Sequence, residues 1–399
     1  MTFPAHWHTR RARFAFSRRD VRGADAPLAS ATKDGVSLRS DLDYGVWNPD
    51  SNVTNYKLVE PDDFVIGLRS FQHGISHSAV RGLVSPAYTV LRPVADLDPA
   101  FFKYYFRSSL LISHLANITQ GIRQGQAIDI EAFQNLPVPV PELEEQRRIA
   151  DFLDAETGKI DDLIFKKRRL LNLMNEHIDS DVLQQVGASQ IVCSTAGTPT
   201  LPIRRILTKV VRPAIPGFGV ITAYRDGQVT QRDARRSEGY TLSASTEAQG
   251  QHVLVDDVVV HGLDGFAGAI GASDASGNCS PVYHVCVPKA DGDSRFLGRL
   301  LRLLALQGYL GNFAISTRER AVDFRNWSLF GDIPIPVVAA DLQRAIGERI
   351  SKLSPLRTAI ERSDVLAAER RQSLITAAVT GQFDVSTASG RNVTDGVTA

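Results

Sequence analysis

The sequence predicts an α+β protein built twice over: two similar mixed α/β domains joined by two long helices that pair as an antiparallel coiled coil, a pseudo-twofold internal repeat. Three observations predict it. The chain of 399 residues repeats its landmarks in the same order at a separation near half its length. Each copy opens with turn and strand compositions and closes on a Pro-x-Pro stretch. After each such stretch the apolar period lengthens to that of a helix.

The repeat is legible residue by residue. Asp34-Gly35 recurs as Asp226-Gly227, and Pro61-Asp62-Asp63-Phe64-Val65-Ile66 as Val255-Asp256-Asp257-Val258-Val259-Val260. Ser85-Pro86-Ala87-Tyr88 returns as Ser280-Pro281-Val282-Tyr283, and Leu136-Pro137-Val138-Pro139-Val140 as Ile333-Pro334-Ile335-Pro336-Val337. Gln146-Arg147 returns as Gln343-Arg344, and the separation drifts only from 192 to 197 residues, so the halves are collinear. A period this long marks a duplicated domain-sized unit rather than a solenoid. Pseudo-twofold objects suit ligands that have two halves.

Within the first half, Lys33-Asp34-Gly35-Val36 reads as a hairpin turn, since Asp-Gly suits positive φ angles. Phe64 to Leu68 and Tyr88 to Leu91 have strand composition. Asp98 and Pro99 read as N-cap and first residue of a helix running toward Ile112 and Leu115. The second half repeats the plan with strands at Asp257 to Val260 and Tyr283 to Val287, then a helix from Ser294 to Leu306. Proline closes each mixed segment because it lacks an amide donor and holds its predecessor extended.

Beyond Pro141, apolar residues fall at Ile149, Leu153, Ile160, Leu163, Leu170, Met174 and Ile178 with three- and four-residue spacing. Beyond Val338 the same spacing runs through Leu342, Ile346, Ile350, Leu353, Leu356, Ile360, Ala367, Leu374 and Ala377. Each helix is thus on the order of 60 Å long at 1.5 Å per residue. Thr157-Gly158 aligns with Ser354-Pro355, which predicts a kink or break in both helices. The helices pair with each other, pack on their own domains or mediate homodimerisation; pairing fits the duplication best.

Hydrophobic content of 43% and charged content of 22% belong to a soluble globular chain. Three cysteines without a CxxC argue against a disulfide framework and for a reducing cytosol. The first residues contain no apolar signal region and no run approaches a membrane span, which predicts a cytoplasmic protein. A net charge of +1 lacks the basic excess of a protein that binds DNA unaided. Basic residues nonetheless cluster at Arg10, Arg11, Arg13, Arg18, Arg19 and Arg22, and again at Arg225, Arg232, Arg235 and Arg236.

The motifs of catalysis are missing. Gly158-Lys159 is followed by isoleucine and lacks the upstream glycine of a phosphate loop, and no GxGxxG occurs. Gly265 to Gly271 reads as a surface loop. Asn48-Pro49-Asp50 is not the NPPY-like motif of an amino-methyltransferase, and no acidic-x-Lys triplet supplies a metal-dependent nuclease core. His73 and His77 are four apart but lack the HExxH glutamate, so a structural or DNA-facing role is preferred over a metal pair. His6 and His8 lie in an expected mobile N-terminus. Cys279 and Cys286 flank a strand and read as small core residues. The chain reads as a binding and positioning protein rather than an enzyme, with no metal and no catalytic residue expected.

Two segments carry a family resemblance. Leu136 to Ile149, LPVPVPELEEQRRI, followed by Phe152-Leu153-Asp154 and Lys159-Ile160-Asp161, resembles the conserved region of type I restriction-modification specificity subunits. So does Glu369 to Val385, ERRQSLITAAVTGQFDV. The second copy departs from the pattern, because Ala339-Ala340-Asp341-Leu342-Gln343 lacks the paired glutamates. The resemblance implies two target-recognition domains, each reading one half of an interrupted DNA site. It implies helices that set the spacer and dock two copies of a methylation subunit, which carries S-adenosylmethionine and the chemistry, with restriction subunits completing the complex. The chain itself needs no cofactor. The boundaries expected are recognition domains at 1–141 and 201–338, helices at 142–186 and 339–380, a linker at 187–200 and a disordered tail at 381–399. Glu144, Glu145, Gln146, Arg147, Gln343 and Arg344 are the residues expected to bind the partner. A non-catalytic coiled-coil scaffold that reads no DNA sequence is the competing interpretation.

Base reading needs donors and acceptors on loops that enter the major groove, with arginine suited to guanine and Asn or Gln to adenine. Arg69, Gln72, His73, Arg123, Gln124 and Gln126 meet this in the first half, and His261, Arg318 and Arg320 in the second. These loops differ between copies while the frame matches, which predicts two unlike half-sites.

Overall fold

Each half of the chain folds around an antiparallel four-stranded sheet with an unbroken apolar run at its centre. The computed structural model describes residues 3–42, 53–120, 127–186, 199–235, 250–313 and 323–385. Two compact units result, one of Met1–Lys166 with Arg362–Ala399 and the other of Lys167–Glu361.

The first unit contains β1 (His8–Arg11), α1 (Ala12–Ala15), β2 (Phe16–Arg19), β3 (Ala29–Thr32), β4 (Gly35–Leu38), β5 (Lys57–Val59), β6 (Phe64–Ile66), α2 (Ser70–His73), β7 (Ser76–His77), β8 (Gly82–Val84) and β9 (Thr89–Pro93). There follow α3 (Pro99–Tyr105), α4 (Ser109–Asn117), β10 (Thr119–Gln120), β11 (Ala127–Ile128), α5 (Ile130–Asn135), β12 (Pro137–Val140) and the first part of the long α6 (Leu143–Gln185). The sheet order is β2-β9-β6-β7, with β1-β12, β3-β4, β5-β8 and β10-β11 as two-stranded ribbons. Both faces of the sheet are covered. Phe64 and Ile66 enter an aromatic core with Phe16, Phe102 and Phe106, while Val65 enters a second cluster with Val59, Val84 and Val90. That double burial is why β6 is continuously apolar instead of alternating.

The second unit contains β13 (Thr200–Pro202), α7 (Ile203–Ile206), β14 (Leu207–Val210), β15 (Ile221–Ala223), β16 (Val229–Gln231), α8 (Arg232–Arg235), β17 (Gln251–Val253), β18 (Val258–His261), β19 (Ile270–Ala272), β20 (Gly277–Cys279) and β21 (Tyr283–Pro288). Then come α9 (Ser294–Leu306), α10 (Trp327–Phe330), β22 (Pro334–Pro336) and the first part of α11 (Ala340–Val379). Its sheet, β14-β21-β18-β19, and its ribbons β13-β22, β15-β16 and β17-β20 repeat the pairing of the first unit. Again Val258 and Val260 face one cluster and Val259 the other. The duplication read from the sequence is therefore a duplication of topology.

Local chemistry explains where the elements differ from expectation. The Asp98 side chain caps α3 as expected, accepting from the amides of Ala100 and Phe101 at 2.8 and 3.1 Å. The helix does not continue to Leu115. Ser108 ends it, donating from Oγ to the Tyr105 carbonyl at 2.7 Å and accepting from the Leu111 amide at 3.3 Å, which starts α4. A serine hydroxyl competes with helical hydrogen bonds in this way. The repeat places Leu303 at the matching position, and α9 runs through it unbroken. The hairpin at Asp34 forms with Thr32 opposite Gly35, so Lys33 and Asp34 make the turn and Gly35 enters β4 at φ +143°.

Of the kink or break expected at Thr157-Gly158 and Ser354-Pro355, no break occurs: α6 and α11 are each continuous, with Pro355 inside. Thr157 hydrogen-bonds back to the Leu153 carbonyl at 2.6 Å and stays within the helix. Proline forgoes one amide bond to the residue four back, a cost that a long, packed helix sustains. The apolar seam of α6 is buried at its ends and exposed between them, whereas that of α11 stays buried through Leu353 and Ile360. Ile149, Leu153, Leu374, Ile375, Ala378 and Val379 join the first core, and Ile178, Val182, Ile346 and Leu353 the second. Leu163 and Leu170 are 50% and 51% exposed. Within the first unit the two helices run antiparallel, with Phe152 near Phe383 and Asp161 paired with Arg371 at 3.4 Å. Of the expected tail, residues 381–385 are described and Phe383 packs beside Phe152, and the rest lies outside the described residues. The expected linker falls almost wholly outside the described residues.

A buried glutamine joins each head to its helix. Gln146, in the first turn of α6, is 0% exposed. Its Oε1 accepts from the Asp98 amide at 2.8 Å, and its Nε2 donates to the carbonyls of Pro141 at 2.8 Å and Asp96 at 3.3 Å. Gln343, in the first turn of α11, repeats this with the Asp293 amide at 3.1 Å and the Val338 carbonyl at 2.8 Å. Replacing Gln146 by leucine strands these buried groups and costs about 2–3 kcal/mol. Chemical denaturation of Gln146→Leu is expected to show that loss, and an unchanged midpoint would remove the brace from the account.

Candidate nucleic-acid interface

The Asp-Asp pair that heads each central strand is a structural device. Asp62 and Asp256 sit in the left-handed region at φ 68° and 67° and turn the chain into β6 and β18. The next aspartate is buried in both units. Asp63 accepts from the Glu60 amide at 2.8 Å and pairs with Arg19 at 3.0 Å and Arg92 at 3.1 Å. Asp257 accepts from the Leu254 amide at 2.7 Å and holds both terminal nitrogens of Arg212. Burial raises the Asp63 pKa against the pull of its amide and arginine partners.

Several arginines of the basic clusters are neutralised within their own unit. Arg10 forks onto Asp96 at 3.0 and 2.6 Å and Arg22 pairs with Asp20 at 2.7 Å, while Arg13 meets only the neutral amide of Asn135, at 2.5 Å. In the second unit Arg225 pairs with Asp264 at 3.0 Å, and Arg235 forks onto Asp226 while lying 4.3 Å over the Tyr224 ring. Arg236 lies outside the described residues.

Three candidates for base reading come together. Arg69, Gln72 and His73 are all exposed on the single turn of α2, just beyond the end of β6. Gly74 closes that turn at φ +82°, where a Cβ would collide with the Phe106 carbonyl, so the turn is seated against the aromatic core. Arg123, Gln124 and Gln126 lie outside the described residues, although Gln120 opposite Ala127 brings the ends of their segment together. Arg318 and Arg320 also lie outside them. His261 is half-buried at the end of β18. Its Nδ1 accepts from the amides of Leu263 and Asp264 at 3.1 Å each, and its ring lies 4.5 Å from Tyr283. That nitrogen braces the turn instead of facing a base.

Sequence reasoning missed an exposed leucine at the matching point of both turns, Leu68 and Leu263, 54% and 45% exposed. The signal was present as an apolar residue in each polar loop. His77 is no metal partner of His73, since it lies on β7 and contacts Asp62 at 3.1 Å. Among the described residues no cluster of His, Cys, Asp and Glu is placed to hold a metal ion. Cys279 and Cys286 are buried as expected, and burial pushes both thiols up to about 12.

The residues expected to meet a partner divide. Gln146 and Gln343 are buried in the braces and face no partner. Glu145 is engaged, accepting from Trp7 Nε1 at 2.9 Å and lying 3.4 Å from His6, which anchors the N-terminal segment expected to be mobile. Glu144 and Arg147 pair on the surface at 3.0 Å, and Arg344 is exposed.

Residues 79–171, from the turn before β8 into α6, match the family described as type I restriction modification DNA specificity domain. Those residues resemble a type I restriction-modification DNA specificity domain. The span that matches contains the head of α3, the Pro-x-Pro strand and the Gln146 brace, all of which the second unit repeats. No curated protein sequence matches the chain. A structure described as the structural basis of complex assembly and conformational transition of the type I R-M system aligns over 96% of this chain and 100% of its own, at 13% identity and a TM-score of 0.52. That likeness is one of fold. The HsdS subunit from Thermoanaerobacter tengcongensis aligns over 96% of this chain and 99% of its own, at 14% identity and a TM-score of 0.44. The type I S subunit from M. genitalium aligns over 95% and 97%, at 15% identity and a TM-score of 0.47. No helix among the described residues is long and apolar enough to cross a membrane.

The histidines give the chain a pH dependence. Burial lowers the pKa of His261 from its ordinary 6.5, and burial moves His77 and His284 the same way. Below about 6.5 the unfolded chain therefore binds more protons than the folded one. The stability is fully present above that value and is lost as pH falls through the folded values. Denaturant midpoints are expected to fall between neutral and mildly acidic buffer, and His261→Gln, which keeps an acceptor and does not titrate there, is expected to flatten the fall.

Proposed function

We propose that the chain directs a type I restriction-modification complex to an interrupted DNA site whose two halves differ. One observation carries the reading: the two units share sheet order, caps and braces, while the turns beyond their central strands diverge. Arg69-Ser70-Phe71-Gln72-His73 stands in one turn and Asp264-Gly265-Phe266-Ala267-Gly268 in the other. A common frame with unlike reading loops is what two unlike half-sites require. Each unit reads one half, and the two long helices fix the unspecified spacer and dock two methylation subunits.

The chain works without catalysis or cofactor of its own. S-adenosylmethionine and the reacting groups belong to the methylation subunits, and restriction subunits join the full complex. The complex operates in the cytoplasm. The paired surface charges Glu144 and Arg147, with exposed Arg344, are the residues that meet a partner. Internal neutralisation of the arginines fits this division, because partner subunits then supply part of the phosphate-binding surface.

Methylation mapping at single-molecule resolution, in cells expressing the chain with its neighbouring methylation subunit and in cells lacking the chain, tests the reading. A new interrupted and asymmetric adenine-methylation motif is expected. A palindromic motif would refute the asymmetry, and no motif from a confirmed complex would favour a scaffold. Arg69→Ala, Arg123→Ala and Arg318→Ala are each expected to weaken specific binding by about 1–3 kcal/mol if the arginine forks onto a base. Titration against matched and mismatched duplexes checks it: a variant that keeps full discrimination does not read bases.

A further inference from the structure

The two units fill the space between head helix and long helix differently. In the first unit Tyr104 occupies it, donating to Asp154 at 2.5 Å and lying 3.2 Å from the Thr157 hydroxyl, with Lys103 on Asp154 at 3.0 Å. In the second unit the repeat puts Arg299, Ser351 and Ser354 at the positions of Tyr104, Asp154 and Thr157. Arg299 turns away to α6, pairing with Asp179 at 2.5 Å and with Asn175 at 3.1 and 3.2 Å. A cleft of about 430 Å³ is left open, lined by Ser351, Ser354 and Arg357 from α11, Arg302 from α9 and the Asp226-Gly227 turn.

We propose that this cleft binds a phosphate-bearing ligand through the guanidinium groups of Arg302 and Arg357 and the hydroxyls of Ser351 and Ser354. The charges of the lining are largely accounted for. Asp226 is held by Arg235 and Asp256 by Arg295 at 2.7 Å each, and Arg299 is held by Asp179. Arg302 and Arg357 remain, against the single carboxylate of Asp274. Arg302 Nε is buried and has no hydrogen-bond partner, and the side chain reaches only the Arg225 carbonyl, at 3.4 Å. A buried donor left unpaired is costly, and an anionic oxygen is the partner that relieves it most.

The room for Arg302 is built by glycine. Gly227 at φ +88° would place a Cβ 2.5 Å from Arg302 Cδ and 2.8 Å from Nε, and Gly268 at φ +92° would place one 3.4 Å from Nε. Burial lowers the Arg302 pKa; the Arg299 and Arg357 charges also lower it, while those of Asp179 and Asp226 raise it. Arginine forks match phosphate geometry. Two sources share the chemistry: a free oligophosphate and the backbone of DNA.

Isothermal titration of the full chain with inorganic pyrophosphate tests the site. Saturable binding is expected, weakened about tenfold or more in Arg357→Gln, and held nearer the parent value in Arg357→Lys. Ser351→Leu, which keeps every arginine but fills the cleft, is expected to block binding, with circular dichroism melts confirming that each variant is folded. No saturable binding by the parent chain overturns the proposal, as does unchanged affinity in folded Arg357→Gln and Ser351→Leu. A short random duplex that displaces pyrophosphate identifies the DNA backbone as the source, and one that leaves it bound identifies a free oligophosphate.

Discussion

Everything in each unit hangs on one buried side-chain amide. Gln146 and Gln343 each use Oε1 to accept the amide of the aspartate that caps the head helix and Nε2 to donate to a carbonyl at the end of the Pro-x-Pro segment. Three elements are thereby tied in one place: the strand that ends the head, the cap of α3 or α9, and the first turn of the long helix. Glutamine suits the position because its amide carries both a donor and an acceptor, and burying it costs little only when both are satisfied. In the second unit Gly347, one turn further along, leaves no room for a side chain against Asp293. Position and direction of the long helices at the heads follow from this joint.

Electrostatics inside the units explain why the net charge says so little. Several arginines of the basic clusters are matched to aspartates nearby in space, and the two buried aspartates, Asp63 and Asp257, would be untenable without Arg19, Arg92 and Arg212. Removing one partner of such a pair leaves a buried charge uncompensated. The paired charges therefore hold the strand entries in place.

The two copies have diverged where one side chain changes the local solution. Ser108 splits a helix that its counterpart Leu303 continues, because a hydroxyl competes with the backbone and an isobutyl group cannot. Tyr104 fills a gap that Arg299 leaves open. Such differences leave the sheet untouched, since Val65 and Val259 keep the same doubly covered centre.

By itself the sequence determined the duplication, the order of elements, the helix cap at Asp98, the core cysteines and the family resemblance. These are encoded locally, in spacing and in residue types with strong backbone preferences, and so they survive without coordinates. Only the tertiary structure decided what the polar residues do. Gln146, Gln343 and Arg19 look like surface contacts in the sequence and prove to be held within their units, because a polar residue is buried or exposed according to partners far along the chain. The same holds for the long helices, where packing at their ends carries α11 through Pro355 and leaves Leu163 and Leu170 uncovered. Periodicity shows that a helix has an apolar stripe; which part of that stripe is covered depends on what the fold brings against it.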